Sequence, residues 1–257
     1  MTYPSQIPNI SKLFDLSGRR AVITGGARGI GRAIADGFLE VGADVVCIDR
    51  GSESSDLPAD NRQIVTADLS DRSDLKRGFD EAVERLGGQI DVLVNNAGIW
   101  DDTPSLHMEL EMWDRIIEVN LTAAFALSRH AARLMLPRGR GRIINIGSIR
   151  SLRGGHNAAA YAAASKGGIA LLTQTLSNEW APSGLRVNAI APGAMVTVLT
   201  EKLRHDPEVV TRFIERIPAR RWGSPADVAG LAIFLASDAS DYVTGAIIPC
   251  DGGFLAG

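Results

Sequence analysis

The stretch AVITGGARGIGRAIADGFL, residues 21 to 39, decides the fold class. Ala21, Val22, Ile23 and Thr24 make a short apolar run of strand length, and a helical period follows through Leu39. Between them lies Gly25-Gly26-Ala27-Arg28-Gly29-Ile30-Gly31, spaced Gly-x3-Gly-x-Gly. Strand, glycine loop and helix in that order build a phosphate cradle. Glycines let the backbone turn tightly and approach an anion, and the helix start offers unpaired N–H groups and the positive end of its dipole. Gly25, Arg28, Gly29, Ile30 and Gly31 are therefore candidates for holding the pyrophosphate of a dinucleotide.

Outward from this unit, apolar strand-like runs alternate with amphipathic segments, the pattern of a doubly wound parallel α/β sheet with helices on both faces. The 257 residues are 45% apolar and 22% charged, which fits a single large domain. Residues 1 to 17 carry two prolines and no strong period and read as an arm; residues 18 to 257 read as the domain. A net charge of -3 and a pI near 5.8 argue against a nucleic-acid partner, and Arg138, Arg140 and Arg142 read as a solvated turn before a strand. The absence of a long apolar run or a basic leader points to a soluble cytoplasmic protein without a membrane partner. Cys47 and Cys250 fall in strand-like runs and read as buried thiols, and the four histidines lack ligand spacing, so no metal site is expected.

The strand from Asp44 ends in Asp49, where a carboxylate binds adenosine ribose hydroxyls and repels a 2′-phosphate. This favours NAD over NADP, against the opposing pull of Arg28 and Arg50. Gln63 to Thr66 reads as a third strand, bringing Asp68, with Leu69 beside it, to the adenine amine; the competing reading of Asp68 is a cap for a helix opening at Ser70. The strand Ile90 to Val94 runs into Asn95-Asn96-Ala97-Gly98, whose small residues let a cofactor ring pass. One helical period spans about Glu109 to Leu136, with Trp113, Ile116, Ile117, Leu121, Phe125 and Leu127 as core. Asn120 interrupts it, as a satisfied structural amide or as the anchor of a relay water. The strand Leu185 to Ala191 ends in Pro192-Gly193, a turn that brings Thr197 to a nicotinamide carboxamide. Residues 198 to 217 read as a substrate lid, Pro225 opens the next helix through Ala236, and Val243 to Pro249 is the last strand.

Chemistry concentrates between Ser148 and Lys166. Ser148 follows the strand Ile143 to Ile146, and Tyr161 and Lys166 sit in an alanine-rich run of high helix propensity. A phenol is a weak acid at neutral pH, a nearby ammonium favours its anion, and a serine hydroxyl can hydrogen-bond an oxygen gaining charge. That set suits carbonyl/alcohol redox chemistry. Five steps from Tyr161 to Lys166 would, however, turn the side chains roughly 140° apart on an ideal helix. Convergence calls for a π-type widening or an unwound first turn at 162 to 165. Arg150, Arg153 and His156 lie in the intervening turn and could meet a substrate carboxylate.

Thr24-Gly25-x3-Gly29-x-Gly31, Asn95-Asn96-Ala97-Gly98, Asn120, Ser148, Tyr161, Lys166 and Pro192-Gly193 together resemble the short-chain dehydrogenase/reductase family over nearly the whole chain. The resemblance implies a Rossmann-like fold and an NAD(P)-dependent oxidoreductase. It implies a tetrad of Asn120, Ser148, Tyr161 and Lys166, in which tyrosine is the acid/base and lysine binds the nicotinamide ribose. The family has three residues between the tyrosine and the lysine; this chain has four. Asn178-Glu179-Trp180-Ala181, Arg216-Ile217-Pro218-Ala219, Arg221-Trp222-Gly223, Ser240-Asp241-Tyr242-Val243 and Asp251-Gly252-Gly253 are similar to the sugar-acid dehydrogenases of that family. They imply a sugar-acid or polyol substrate and a homotetramer. Two alternatives stay open: a 3-oxoacyl reductase using NADPH, and a dinucleotide-binding protein with impaired catalysis.

Overall fold

The computed structural model describes residues 9–51, 63–155 and 164–257. Its element order is α1 (Ile10–Leu13), β1 (Arg20–Thr24), α2 (Gly29–Glu40), β2 (Asp44–Asp49), β3 (Gln63–Thr66), α3 (Arg72–Arg85) and β4 (Val92–Asn95). There follow α4 (Leu110–Ile117), α5 (Ala123–Met135), β5 (Gly141–Ile146), α6 (Gly167–Trp180), β6 (Leu185–Pro192), α7 (Glu201–Arg204), α8 (Pro207–Arg216), α9 (Pro225–Ala236) and β7 (Ile247–Cys250). The strands form one sheet in the order β3-β2-β1-β4-β5-β6-β7, and every pairing is parallel. The chain winds outward from β1 to β3, then returns to β4 and winds the other way. The switch point between β1 and β4 leaves a crevice at the carboxyl edge, where such sheets bind ligands.

Two apolar layers sandwich the sheet. Leu75, Phe79, Leu127, Ala131 and Leu176 from α3, α5 and α6 cover one face, and Ile34, Phe38, Val228, Ala232 and Leu235 from α2 and α9 cover the other. The strands are buried on both faces, which explains their unbroken apolar runs. Leu16 is fully buried and its N–H donates to the Val41 carbonyl at 2.9 Å, so the core already includes the end of the segment read as an arm.

Several sequence expectations are corrected. The period from Glu109 to Leu136 is not one regular helix: a π-helical turn, Glu118–Thr122, separates α4 from α5. Past that turn Phe125 rotates outward, 40% exposed, with the Arg129 guanidinium 5.6 Å above its ring. The last strand starts at Ile247 rather than Val243. Of the three arginines read as a solvated turn, Arg140 is exposed but Arg138 and Arg142 are not free in solvent. Arg142 is buried, its Nη2 3.1 Å from Asp241 Oδ1 and 3.5 Å from Asp238 Oδ1, and Arg138 pairs with buried Asp91 while donating to the Ile90 carbonyl at 2.8 Å. The amino ends of parallel strands need hydrogen-bond partners, and the Arg138–Asp91 pair provides them, Asp91 Oδ2 also accepting the Arg20 N–H at 3.1 Å. Helix α9 opens at Pro225 as expected, with Ser224 and Asp227 forming a capping box.

Phe38 anchors the helix behind the glycine loop, with no exposed surface. Phe38→Ala is expected to lower stability by ~3–5 kcal/mol, read from urea unfolding.

Candidate active site

At the crevice, β1 and β4 are tied by side chains. Thr24 Oγ1 accepts the N–H groups of Asn96 and Ala97, each at 3.0 Å, and Asn96 Nδ2 donates to the carbonyls of Thr24 at 2.9 Å and Gly25 at 3.0 Å. The glycine loop thus lies directly against the end of β4. A Cβ on Gly31 would stand 2.1 Å from the Gly25 oxygen and 2.4 Å from Asn96 Nδ2, so a side chain there is excluded. Gly25 has φ 66° and Gly29 φ 59°, the left-handed conformation that favours glycine. Helix α2 begins at Gly29 with no side-chain cap, whereas α3, α8 and α9 are capped by Asp71, Asp206 and Ser224. An uncapped N-terminus behind a glycine loop fits an anionic pyrophosphate. Arg28 is exposed at the N-cap position and Ile30 half-buried beneath the loop.

Asp49 lies at the end of β2, half-buried. Its Oδ2 accepts the Ala27 N–H at 3.0 Å and its Oδ1 the Arg50 N–H at 2.8 Å, so the carboxylate is held against the glycine loop. Asp68 does not cap a helix. Helix α3 opens two residues later than Ser70 with Asp71 as its cap, while Asp68 Oδ1 accepts the Ser70 N–H at 2.9 Å and hydroxyl at 2.6 Å. Those bonds hold the Asp68 carboxyl below the usual carboxylate range. Leu69 next to it is buried. The Asn95 side chain turns into the core, donating to Ser128 Oγ at 3.0 Å and Asn145 Oδ1 at 2.8 Å, so any contact with a cofactor falls to its backbone. Ala97 and Gly98 remain at the crevice, and a Cβ on Gly98 would lie 3.3 Å from Asn120 Oδ1.

Asn120 sits in the π-helical turn, 2% exposed. Its Oδ1 accepts the Ile99 N–H at 2.8 Å, and its Nδ2 donates to the Ile99 carbonyl at 2.9 Å and to Ser165 Oγ at 3.3 Å. The carboxamide is thus hydrogen-bonded within the protein on both its oxygen and its nitrogen. Ser148 is buried just past β5, and its Oγ accepts the Arg150 N–H at 3.1 Å. With an accepting position filled from its own turn, the hydroxyl proton is free to point elsewhere.

Lys166 immediately precedes α6, 5% exposed, and its Nζ donates to the Ile146 carbonyl at 2.7 Å, two residues before Ser148. Burial pushes its pKa down to about 8. Ala164, Ser165 and Lys166 are π-helical, the kind of widening that the five-step spacing calls for. Tyr161, Ala162, Ala163 and His156 lie outside the described residues.

Pro192 ends β6, and the Gly193 N–H donates to the Cys250 carbonyl at 3.0 Å. The following turn brings the Thr197 side chain to 3.7 Å from a Cβ position on Gly29, so Thr197 closes over the glycine loop from the far side of the crevice. Arg150 Nη1 donates to the Gly154 carbonyl at 2.6 Å, holding its own turn. Arg153 lines a cleft of about 520 Å³ with Arg216, Arg220 and Phe254, bordered by none of Ser148, Lys166 or the glycine loop. Sequence reasoning missed the linking roles of Thr24 and Asn96, and Ser165 altogether. A polar Thr24 closing an apolar strand run was the available signal. Among the described residues no group of histidine, cysteine, aspartate and glutamate could hold a metal ion, and no helix is long and apolar enough to cross a membrane.

A family model described as enoyl-(acyl carrier protein) reductase matches residues 25–255. The chain belongs to the short-chain dehydrogenase/reductase family. It is 43% identical over 246 residues to 2-dehydro-3-deoxy-D-gluconate 5-dehydrogenase of Bacillus subtilis (strain 168), covering 94% of this chain and 96% of that protein. It is 40% identical over 248 residues to gluconate 5-dehydrogenase of Gluconobacter oxydans (strain 621H), covering 94% and 96%. A crystal structure of gluconate 5-dehydrogenase from Burkholderia cenocepacia J2315, in complex with NADP and tartrate, superposes with a TM-score of 0.90 at 38% identity, covering 97% of this chain and all of that one. The chain is an NAD(P)-dependent oxidoreductase that interconverts a secondary alcohol and a ketone.

The buried ammonium generates a pH dependence. Between about pH 8 and the unfolded lysine pKa of 10.5, the unfolded chain binds the proton that folded Lys166 has lost, so this group's contribution to stability rises with pH across that window. Apo protein is expected to show the rise in urea unfolding, and Lys166→Met to lack that component.

Proposed function

We propose that this short-chain dehydrogenase/reductase uses NAD in preference to NADP to oxidise a sugar acid or polyol, or to reduce the corresponding ketone. The observation that carries the reading is the buried Lys166 ammonium on the Ile146 carbonyl, two residues from the Ser148 hydroxyl, on the crevice that holds the uncapped glycine loop. The cofactor supplies the hydride acceptor for the carbinol carbon. Gly25, Arg28, Gly29, Ile30 and Gly31 would hold its pyrophosphate, Asp49 its adenosine ribose, Asp68 and Leu69 its adenine, and Ala97, Gly98, Pro192, Gly193 and Thr197 its nicotinamide end. Asn95 contributes there through backbone and packing only.

In alcohol oxidation the O–H proton would pass to the Tyr161 phenolate, giving the neutral phenol, as the C–H hydride leaves for the cofactor, and the new carbonyl oxygen would accept a hydrogen bond from the Ser148 hydroxyl. Lys166 would bind the nicotinamide ribose and make the phenol more acidic by placing positive charge near it. Asn120 takes part by holding the Ile99 backbone. Likeness to sugar-acid dehydrogenases supports the substrate class, and the Asp49 carboxylate supports NAD, although the Burkholderia relative was crystallised with NADP. Residues 1 to 17 as an arm, 198 to 217 as a lid, a homotetramer and a cytoplasmic location complete the proposal.

A panel of sugar acids, polyols, acyl thioesters and steroids, assayed with both cofactors, tests this. Turnover is expected with sugar acids or polyols and NAD; turnover confined to acyl thioesters with NADPH would establish a 3-oxoacyl reductase instead. Tyr161→Phe is expected to lower kcat by roughly 10²–10⁴ with cofactor binding retained. Asp49→Ala removes the charge facing a 2′-phosphate while Arg28 and Arg50 remain, and is expected to raise the NADP/NAD ratio of kcat/KM by about tenfold or more. An unchanged ratio would assign cofactor choice to another group.

A further inference from the structure

The extra residue before Lys166 poses a mechanical problem whose solution involves two helices. Widened turns face each other across the site: Glu118–Thr122, between α4 and α5, and Ala164 to Lys166, at the entry to α6. They touch at two points. One is polar, the 3.3 Å bond from Asn120 Nδ2 to Ser165 Oγ, between side chains exposed by 2% and 0%. The other is apolar: a Cβ on Gly168 would stand 2.8 Å from Leu121 Cδ2, so the glycine on α6 makes the seat for Leu121. Asn120 also grips both backbone groups of Ile99, beyond the end of β4, while Lys166, the residue after Ser165, reaches the end of β5.

We propose that Ser165 is a positioning residue whose bond to Asn120 locks the widened turn onto the Gly98–Ile99 segment and thereby holds the Lys166 ammonium at the cofactor despite the five-step spacing. The reasoning is geometric. A widened turn has poorer internal hydrogen bonding than regular helix and needs outside contacts to keep its register. Lys166 has a long, rotatable stem, so the position of its head depends on where its Cα is held. Ser165 fixes the adjoining backbone, and Asn120 transmits that constraint to the strand end against which the nicotinamide would pack. Ser165 touches neither substrate nor cofactor. The inference rests on reading Lys166 as a ligand of the nicotinamide ribose.

The test uses the full chain. NADH titrations followed by nicotinamide fluorescence, without substrate, compare wild type, Ser165→Ala, Asn120→Ala and the double variant. Ser165→Ala is expected to weaken NADH binding by about fivefold and lower kcat by about tenfold, with the KM of the alcohol substrate within about twofold of wild type. The double variant is expected to bind NADH no more weakly than Asn120→Ala alone, since Asn120→Ala already removes the bond that Ser165→Ala removes. Wild-type NADH affinity and kcat in Ser165→Ala, or additive losses in the double variant, would overturn the proposal; a lowered melting temperature with unchanged binding and kcat would reduce Ser165 to packing. Ser165→Cys keeps the volume and carries the same measurements if the alanine variant does not fold. A wild type that binds NADH but oxidises no sugar acid or polyol would sink the substrate reading alone, and the NADH titrations would still decide the role of Ser165.

Discussion

The crevice depends on one close approach, that of the glycine loop to the end of β4. A backbone turn and an asparagine side chain meet where Gly31 leaves no room for a Cβ, and Thr24 and Asn96 secure the meeting with four hydrogen bonds. Because β1 and β4 are neighbours with helices on opposite faces, this contact forms the floor on which a dinucleotide can lie across the switch point. Thr197, the cap-free start of α2 and the Asp49 carboxylate are arranged around it. If the loop stood further off, the anion-binding N–H groups and the strand ends would no longer address one ligand.

The two edges of the sheet use charge differently. At the amino edge, Arg138 meets buried Asp91, both also bonding the backbone of strand ends, and buried Arg142 meets the exposed carboxylates of Asp238 and Asp241. At the carboxyl edge, Lys166 has a carbonyl partner and is depressed towards pH 8 by burial. A group so placed costs stability in the apo protein and favours a neighbouring anion, the property a phenolic acid/base requires. Stability is located at one edge and chemistry at the other.

Widened helical turns occur on both sides of the crevice. At Asn120 the widening interrupts a long amphipathic period and turns a carboxamide inward; at Ser165 it leads into α6 and meets that carboxamide. The same feature that made Phe125 look like core places it on the surface, because one extra residue per turn rotates everything downstream. Register beyond such a turn follows from packing rather than from periodicity.

By itself the sequence determined the alternation of strands and helices, the glycine loop, the proline start of α9 and the set of polar residues that gather at one edge. These are local properties of apolar periodicity, backbone freedom and capping, and they survive without knowledge of neighbours. Tertiary structure decided which polar groups are already spent. The Asn95 side chain serves the core, Arg150 binds its own turn and Arg142 is buried against Asp241. Composition cannot show this, because a hydrogen-bonding side chain has the same identity whether its partner is a ligand or a residue a hundred positions away, and only the packed chain brings that partner within 3 Å.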